Sequence, residues 1–549
     1  MRRLVTNAAD DFRVKAYAGT NGVLLAMDLD EARRDGLLGF AIERKVGAKA
    51  WEFLWNSLTF PGKAHTIPEW EATPSNLAPF QKMRWADYRL DPRQTVRYRV
   101  HLAYGDAAQP DLDERLEVEV RTDDGMPEDH RVIFNRAVAA SQAFGRKFKD
   151  VDEWLTTHKN APIEDWPSEK ARDWLQNGLL DQIEAFINRA RDGTWTLDLA
   201  IYEYELKAIV DAINAAHKRG VQVRVLFHAK EGDDQTAENE KSVKKLPVKK
   251  KRARLTKKLF HNKFIVLGKK KANGDISPRA VLCGSTNFTE NGVYRQANVV
   301  HVANDATVAG TYAKIFQVIW DAPADPSVAR AWINANNAID AANKTFAGFS
   351  PRSGGGDLAE FANCINAANK DLLFATAFEL PANILDALLG APNDNVLRFG
   401  IQNTKSRITG FHADRTAEFT TPALLNNGLE GWVKEGLRGQ KGNLLVHLKA
   451  VVTNFTTDSP TVISGSHNLS GSASTGNDEN FLIMRGDTDL ADRYGIEVLR
   501  FYEHYRFRFY AKLLQLNQAD PLRPNDTWAD KAYEAGNLKE TSRLRFSGR

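Results

Sequence analysis

The sequence predicts an α/β protein built from two pseudo-symmetric α/β/α halves, preceded by an all-β, sandwich-like domain. Two observations support the halves: a His-x-Lys motif followed by Gly-Ser-x-Asn occurs twice, and apolar strands alternate with helical segments around both copies. A third observation separates the amino-terminal region, where short apolar runs are divided by Gly, Pro and Asp clusters. That pattern is typical of a β-sandwich.

The expected boundaries follow from these changes of pattern. We predict a β-sandwich-like domain, a helical bridge, two α/β/α halves and an irregular polar tail, at residues 1–125, 126–175, 176–345, 346–515 and 516–549. Helices are expected in the bridge at 131–145 and 151–158. A Gly-rich connector at 350–356 is expected to be flexible, and a long helix at 491–514 should close the second half.

Each copy of the motif reads as a strand, a loop, a second strand and a Gly-Ser-x-Asn turn. The pairs and their turns are His261 and Lys263 with 284–287, and His447 and Lys449 with 465–468. Because side chains alternate along a strand, the His and Lys of each pair point to the same face. Farther upstream, a strand that ends in Tyr202 and Glu203 is matched with one that ends in Phe378 and Glu379. Two such halves packed together would put both pairs across one cleft.

The residue types in this cleft suit a phosphate. Imidazole, ammonium and amide donors that converge on one point can hold the oxygens of a phosphodiester and attack its phosphorus. The candidate catalytic residues from the two motifs are His261, Lys263, Asn287, His447, Lys449 and Asn468.

On these residues the sequence resembles the phospholipase D superfamily, whose signature is a duplicated H-x-K-x(4)-D with a nearby G-S-x-N. The resemblance covers about residues 170–515, and nuclease-type members are more similar than secreted phospholipases. The sequence departs from the signature at Gly268 and Asn454, where the signature has Asp. Some relatives lack this Asp as well, so the departure does not imply inactivity.

The resemblance implies a two-step reaction. One neutral histidine attacks phosphorus to form a covalent phosphohistidine, and a second, protonated histidine donates to the leaving group and then activates water. It implies that His261 is the nucleophile and His447 the general acid, although equivalent groups in both halves would allow the reverse. The lysines and asparagines would hold the non-bridging oxygens. No metal and no cofactor is required.

Three further polar residues are candidates for the same site. Ser285 and Ser466 are expected to form hydrogen bonds within it, and Glu479 to orient a histidine through its ring N–H. The first half has Ala297 at the position matched with Glu479. The remaining nearby histidines, His228, His301 and His467, are predicted to be structural.

The stretch leading into His261 is densely basic, although the net charge of the chain is only +4. The predicted substrate-binding residues are Lys249, Lys250, Lys251, Arg252, Arg254, Lys257 and Lys258. Such a run attracts a polyanion, whereas runs of like charge are more often solvated loops. Its position beside the motif favours a nucleic-acid channel, for DNA more than RNA, and Arg398, Lys405 and Arg407 could extend it.

These observations favour a metal-independent nuclease acting in defence or DNA processing. Two alternatives stay open: a phospholipase D or phosphatidyl transferase acting on lipids, and a catalytically decayed module that binds nucleic acid. Retention of both His-Lys pairs argues against decay, while loss of both signature Asp residues argues for it.

Composition restricts the class of protein. A hydrophobic fraction of 43% and a charged fraction of 26% are those of an ordinary globular protein. Cys283 and Cys364 are the only cysteines, so neither a zinc site nor a disulfide framework is expected. No apolar signal segment or spanning run is found, which predicts a cytoplasmic protein without integral membrane association. A homodimer or a regulatory partner is compatible with the sequence.

Overall fold

The computed structural model describes the whole chain except residues 69–71, 123–127, 137–143, 146, 159–160, 391–393, 404–407, 412–416, 421–445 and 514–520. Within the described residues, no helix is long and apolar enough to cross a membrane.

The amino-terminal region consists of antiparallel strands, as predicted. They are β1 (Arg2–Thr6), β2 (Phe12–Ala18), β3 (Val23–Leu29), β4 (Gly39–Val46), β5 (Glu52–Phe53), β6 (Trp55–Asn56), β7 (Thr73–Pro74), β8 (Arg84–Asp87), β9 (Thr95–Asp106) and β10 (Gln109–Arg121). Two sheets, in the orders β1-β2-β3-β8 and β10-β9-β4-β5, account for most of them. Alternate residues such as Phe12 and Val14 of β2, and Tyr98 and Val100 of β9, are buried in a core that both sheets share.

The first half contains a seven-stranded sheet in the order β11-β17-β16-β15-β12-β13-β14. Its strands are β11 (His130–Phe134), β12 (Trp195–Ile201), β13 (Gln222–Ala229), β14 (Lys251–Leu255), β15 (Lys263–Lys270), β16 (Ile276–Gly284) and β17 (Val299–Ala303). Strands β12, β13 and β14 are parallel. Strand β15, which begins at Lys263, is antiparallel to both of its neighbours, β12 and β16.

The second half repeats this arrangement in a sheet of order β18-β25-β24-β23-β19-β20-β21-β22. Its strands are β18 (Thr345–Ser350), β19 (Asp371–Ala377), β20 (Leu397–Asn403), β21 (Ile408–Phe411), β22 (Ala417–Thr420), β23 (Ala450–Thr453), β24 (Thr461–Gly465) and β25 (Glu479–Arg485). Strands β19 and β20 are parallel, and β23 is antiparallel to β19. The predicted βαβ units are therefore present, but the motif strands join them in antiparallel orientation.

The described helices lie mainly between and over these sheets. They are α1 (Lys149–Thr157), α2 (Glu169–Gln176), α3 (Leu179–Asn188), α4 (Lys207–Lys218), α5 (Asp234–Ser242), α6 (Ala306–Asp321), α7 (Pro326–Asn336), α8 (Gly356–Asn366), α9 (Ala382–Leu389), α10 (Gly471–Thr475), α11 (Thr488–Leu513), α12 (Asp530–Tyr533) and α13 (Leu538–Ser547).

The two sheets face one shared core. Helices α6 and α11 contribute Phe316 and Tyr494 to this core, which also receives Phe264 from β15 and Val452 from β23. The outer face of the first sheet is covered by α3 and α4, and that of the second sheet by α8 and α9. Because each sheet is apolar on both faces, burial requires a layer on either side.

Three expectations about local structure are wrong. Residues 131–134, predicted as the start of a helix, belong to the edge strand β11, which pairs with β17. The connector is ordered, because Ser350 and Arg352 are buried and Arg352 donates to the backbone O of Asn337 at 2.8 Å. The tail is not irregular: its helix α13 buries Phe546, whose carbonyl accepts from the hydroxyl of Tyr17 at 2.8 Å.

Candidate active site

The two motif histidines are held at the junction of the halves, each by a backbone bond to the opposite half. The N–H of His261 donates to the carbonyl of Asp478 at 2.8 Å, and that of His447 to the carbonyl of Ala297 at 3.2 Å. Both histidines are at least 95% buried. Each half thus positions the histidine of the other, and neither half builds the site alone.

His261 is oriented by a carboxylate. Its Nδ1 lies 2.7 Å from Oε2 of Glu479, an oxygen that also accepts from the hydroxyl of Ser466 at 2.6 Å. Burial alone would raise the pKa of Glu479, but the charges and hydrogen bond of its neighbours, His261 first, lower it. Burial lowers the pKa of His261 to about 4. The neutral ring therefore donates from Nδ1 to Glu479 and keeps a free lone pair on Nε2.

His447 is oriented by a neutral amide in the equivalent position. Its Nδ1 lies 2.8 Å from Oδ1 of Asn298, which also accepts from the hydroxyl of Ser285 at 2.9 Å. The Nδ2 of Asn298 donates to the carbonyl of Gly292 at 2.9 Å, so the amide cannot turn its nitrogen toward the ring. Burial, followed by the charge of Lys449, holds the pKa of His447 well below its usual value.

This geometry corrects the sequence match. Asn298, not Ala297, corresponds to Glu479, and both follow the asparagine of their Gly-Ser-x-Asn turn by eleven residues. That equal spacing is a signal from which the sequence alone could have identified Asn298. Ser285 and Ser466 lie near the histidines, and their hydroxyls donate to the groups that orient the rings.

The two motif lysines are buried, and neighbouring negative charges do not fully balance their positive charges. Lys263 Nζ donates to the carbonyl of His261 at 2.9 Å, and burial lowers its pKa to about 8. Lys449 Nζ is buried and has no partner in the part of the chain that the structure describes, and burial, followed by the charge of Lys263, holds its pKa well below the usual value. Such groups favour an incoming anion, because an anion restores the missing charge and hydrogen bonds.

The motif asparagines have unused hydrogen-bonding capacity as well. Asn287 is buried and Asn468 is partly buried, and the amide oxygen of each lacks a partner among the described residues. An amide side chain presents either oxygen or nitrogen after a half-turn. We call the four groups Lys263, Lys449, Asn287 and Asn468 the phosphate cradle.

Sequence reasoning missed two residues next to this cradle. The ring of Tyr202 lies 5.0 Å from that of His261, and Lys263 Nζ lies 5.1 Å from the centre of the Tyr202 ring. Glu203 interacts with Lys263, Lys449 and Asn287; burial, the largest effect, raises its pKa to about 7. The available signal was the position of both residues at the end of β12, which the predicted sheet puts beside the motif strand.

Comparison with known families identifies part of the chain. Residues 183–320 match the family model described as "Cardiolipin synthase, PLD-like domain". These residues form a phospholipase D-like domain. The match begins within α3 and ends within α6, and it contains the first His-x-Lys pair and its turn.

Other comparisons give distant likenesses. No curated protein matches the chain. The phosphatidylserine synthase of Haemophilus influenzae is 13% identical, with 67% of this chain and 93% of that chain covered at a TM-score of 0.41. The polyphosphate kinase of Porphyromonas gingivalis is 11% identical over 56% of this chain at a TM-score of 0.38, and the chain covers 43% of that kinase. Nuc, a phospholipase D family member from Salmonella typhimurium, is 20% identical over 26% of this chain and 86% of its own length, at a TM-score of 0.21. None of these likenesses assigns an activity to this chain.

The two departures from the phospholipase D signature have structural explanations. At Gly268, near the far end of β15, an added Cβ would lie 2.5 Å from Oγ1 of Thr196, so an Asp would not fit without a shift. Asn454 has φ 54°, and its Oδ1 accepts from the backbone N–H groups of Asn369 and Lys370 at 3.0 and 3.1 Å. Asn tolerates this left-handed backbone and closes the turn before β19.

The basic run does not form one surface beside the two motif histidines. Arg254, predicted to bind substrate, is fully buried and forms a bidentate ion pair with Asp478, with both N–O distances 3.0 Å. Lys251 donates to the carbonyl of Val243 at 2.9 Å, and Arg252 lies over Trp320. Of the second cluster, Arg398 is buried and paired with Asp394, while Lys405 and Arg407 lie outside the described residues.

The other basic residues divide into two groups. Lys249 and Lys250 precede the edge strand β14, and Lys250 is near Lys270 and Arg224; charge on an edge strand also prevents pairing with another chain. Lys257 and Lys258 are exposed only a few residues before His261, and the Lys258 side chain contacts the Gly476 region of the second half. We call Lys257 and Lys258 the basic rim.

The predicted structural histidines form internal hydrogen bonds. His228 accepts from the backbone N–H of Phe260 at 3.1 Å, which supports the segment before His261. His301 bonds to His130 and Tyr494, and His467 to Asp357. In the part of the chain that the structure describes, no group of three or more His, Cys, Asp or Glu side chains is arranged to hold a metal ion.

Proposed function

We propose that this protein is a phosphodiesterase that cleaves nucleic acid, DNA more readily than RNA, through a phosphohistidine and without a metal. The observation that carries the proposal is the pairing of His261 with Glu479 and of His447 with Asn298 at one junction, beside the phosphate cradle. Two histidine rings held through Nδ1, with the ammonium of Lys449 that has no partner among the described residues, are groups that a two-step displacement at phosphorus needs.

The first step is a displacement by His261. In the form of the enzyme that reacts, His447 is protonated on both ring nitrogens. The Nε2 lone pair of His261 attacks phosphorus, the bond from phosphorus to the leaving oxygen breaks, and the Nε2 proton of His447 passes to that oxygen. The product is a phosphoramidate between His261 and the retained part of the substrate. The phosphate cradle holds the non-bridging oxygens as charge redistributes, and removal of one such donor typically costs about 10²–10³ in rate.

The second step reverses the role of His447. Its neutral Nε2 accepts a proton from water, the water oxygen attacks phosphorus, and the phosphorus–nitrogen bond breaks. His261 returns to its neutral form, and its Nδ1–H remains bonded to Glu479.

The asymmetry of the orienting groups favours His261 as the nucleophile. A phosphorylated imidazole carries positive charge, and the ionised carboxylate of Glu479 stabilises that charge better than the neutral Asn298 would. His447 needs a group that fixes the orientation of its ring without strengthening the ring's hold on the proton that it donates. Asn298 fulfils this need, because a neutral acceptor does not raise the ring pKa as a carboxylate does.

The basic rim favours nucleic acid as the substrate. Lys257 and Lys258 are exposed beside the catalytic segment, and they can contact phosphates that flank the scissile one. A nucleic acid carries a negative charge on every nucleotide, so it gains affinity from such flanking contacts, whereas a single lipid headgroup does not.

Lipid cleavage or phosphatidyl transfer is the second candidate. It is favoured by the description of the matching family model, which names a cardiolipin synthase. The groups at the two histidines serve either substrate, because both present a phosphodiester.

The deciding experiment compares substrates with purified protein in excess EDTA. Labelled single- and double-stranded DNA and RNA are tested beside vesicles of phosphatidylcholine and phosphatidylglycerol. His261→Ala and His447→Ala are the inactive controls, and Lys218→Ala on the far end of α4 is a control for general substitution.

The outcomes separate the candidates. Nucleic acid cleavage that survives EDTA and disappears in both histidine variants supports the proposal. Turnover of vesicle lipid with intact nucleic acid would establish the lipid candidate instead. Binding of DNA without cleavage of any substrate would leave a binding module and overturn the proposal.

A further inference from the structure

The ring of Tyr202 contacts two groups of the active site, and the mechanism proposed above does not use it. Nζ of Lys263 lies over this ring, 5.1 Å from its centre, and the centre of the His261 ring lies 5.0 Å from the same point. A cation within about 6 Å of an aromatic centre is attracted by the negative face of the ring, and loss of water strengthens the attraction. The Tyr202 ring is therefore placed to hold the ammonium of Lys263.

The ring is fixed by contacts with three other residues. The backbone N–H of Tyr202 donates to the carbonyl of Asn262 at 3.0 Å, and its carbonyl accepts from Nδ2 of Asn239 at 2.8 Å. The buried ring of His228 packs against it in a T-shaped arrangement, with the ring centres 5.0 Å apart and an interplanar angle of 63°. A ring that is fixed in this way can position a flexible lysine side chain.

The ammonium of Lys263 needs compensation for its burial. Burial, the largest influence, lowers the pKa of Lys263, while the charges of Glu479 and Glu203 oppose this effect. Nζ of Lys263 donates to the carbonyl of His261 at 2.9 Å, and an ammonium has three N–H donors. The face of a ring attracts the charge without taking the place of a carbonyl or phosphate oxygen, so a donor remains for the substrate.

The second half has no ring at the equivalent position. The residue that pairs opposite the third position after the motif histidine is Ala200 in the first half and Ala375 in the second. This register matches Tyr202 with Ala377, and not with Phe378 as the sequence alone suggested. A methyl group thus takes the place of the ring, and Nζ of the second motif lysine is buried without a partner among the described residues. The ring distinguishes the side of the site that holds the proposed nucleophile.

We propose that the face of the Tyr202 ring keeps the ammonium of Lys263 charged and in position for a non-bridging oxygen of the substrate, so that Tyr202 is a positioning residue of the site. This inference rests on the proposed phosphodiesterase function. Tyr202 acts through Lys263 and through the electron density of its ring, and its hydroxyl is not required. The cation beside His261 is therefore in place before the substrate binds.

The first test replaces Tyr202 by phenylalanine and by mono-, di- and trifluorinated phenylalanine. Fluorine withdraws electron density from the ring and weakens its attraction for a cation, while the shape of the ring is nearly kept. The substrate is bis(4-nitrophenyl) phosphate. Tyr202→Phe should keep kcat/KM within about threefold of wild type, and kcat/KM should fall by about tenfold from the unfluorinated to the trifluorinated ring, the order of a desolvated cation–π contact. A series without a trend, or a loss in Tyr202→Phe as large as that in Tyr202→Leu, would overturn the inference.

The matched control is the same fluorinated series at Phe264 of the motif strand β15. The Phe264 ring packs against the rings of Tyr312 and Phe349, with centre distances of 4.9 and 6.5 Å. The value of kcat/KM should stay constant along this series. An equal trend at Phe264 would reveal a general effect of fluorine in the core and would contradict the role of Tyr202.

The second test measures thermal unfolding by circular dichroism and does not require activity. Each fluorine at position 202 should lower Tm, because a contact between the ring and a buried ammonium stabilises the folded protein. In the Lys263→Met background, which lacks the cation, Tm should stay constant along the series. Equal slopes in the two backgrounds would show that the ring does not act on Lys263.

The two levels of the proposal fail differently. If wild type cleaves no phosphodiester while the Tm series depends on Lys263, the proposed function is wrong although the ring holds the ammonium. If wild type is active, His261→Ala is inactive and kcat/KM does not vary along the fluorinated series at position 202, only the role of Tyr202 is wrong.

Discussion

Oδ1 of Asn298 lies 2.8 Å from Nδ1 of His447, at the position where the other half sets Glu479 2.7 Å from His261. The same serine contact accompanies each pair, from Ser285 on one side and Ser466 on the other. The halves therefore share one hydrogen-bonding plan and differ in the charge of a single acceptor. That difference gives the two histidines distinct properties.

Substitution of Asn298 by Asp should move the pH dependence of activity. An anionic acceptor raises the pKa of His447, so the protonated ring is present below the raised pKa and is lost only as pH rises through it. The alkaline limb of kcat/KM should shift upward by about one pH unit, measured with bis(4-nitrophenyl) phosphate from pH 4 to 9. An unchanged limb would show that His447 is not the group that must carry a proton.

Substitution of Glu479 by Gln should lower kcat by roughly 10²–10⁴, because the ring of His261 loses both its fixed tautomer and the countercharge for its phosphorylated form. Single-turnover kinetics measure the loss. Ser466→Ala is the comparison and should lose less, since it removes a neutral contact to Glu479 and leaves the carboxylate. A loss confined to KM would contradict this role.

Substitution of His447 by Ala should trap the covalent intermediate. With a good leaving group, the first step needs little acid assistance, whereas release from His261 still needs a base. Intact-protein mass spectrometry after mixing with bis(4-nitrophenyl) phosphate should show one added nitrophenyl phosphoryl group. The adduct should be absent from His261→Ala. An adduct on His447 in that variant would reverse the assignment of the nucleophile.

Substitution of Arg254 by Ala should reduce the free energy of unfolding by about 3–5 kcal/mol, because it leaves the carboxylate of Asp478 buried without its partner. Urea unfolding measures the loss. The exposed Arg191→Ala should be neutral within about 0.5 kcal/mol. If Arg254→Ala kept wild-type stability but bound DNA weakly, the original prediction of a substrate contact would be restored.

Substitution of both Lys257 and Lys258 by Gln should weaken DNA binding without changing stability. Two lost phosphate contacts reduce the slope of log affinity against log salt by about 1.8. Fluorescence anisotropy at several salt concentrations measures the slope, and kcat on bis(4-nitrophenyl) phosphate should stay unchanged. The matched control, Lys244→Gln with Lys245→Gln, alters exposed lysines that lie earlier in the chain. Equal slopes in the two double variants would place the DNA path elsewhere.

The sequence was sufficient where the signal was local and repeated. The spacing of His261 and Lys263, and its recurrence at His447 and Lys449, predicted the paired motif strands and their Gly-Ser-x-Asn turns. The same logic extended to Asn298 would have succeeded, since its spacing from Asn287 equals that of Glu479 from Asn468. The match of Ala297 with Glu479 is wrong by one residue.

The sequence was insufficient where a charged residue had two possible environments. Arg254 and Lys257 belong to the same basic run, yet Arg254 is buried against Asp478 and Lys257 is exposed. The alternation of side chains along β14 and the contact with the second half determine which of these residues is buried. The charge of the run encodes neither of these two factors. Glu203 was overlooked for a related reason: its distance in sequence from Lys449 hides their closeness in space.

By itself, then, the sequence determined the α/β halves, the amino-terminal strands and the kinds of group that meet at the motifs, because strand periodicity and motif spacing are local properties. Only the tertiary structure decided which acceptor orients each histidine, which cations face solvent and which acid borders the phosphate cradle. Those outcomes depend on contacts between residues far apart in the chain. Burial at such contacts, more than residue type, sets the pKa and the hydrogen bonds of each group.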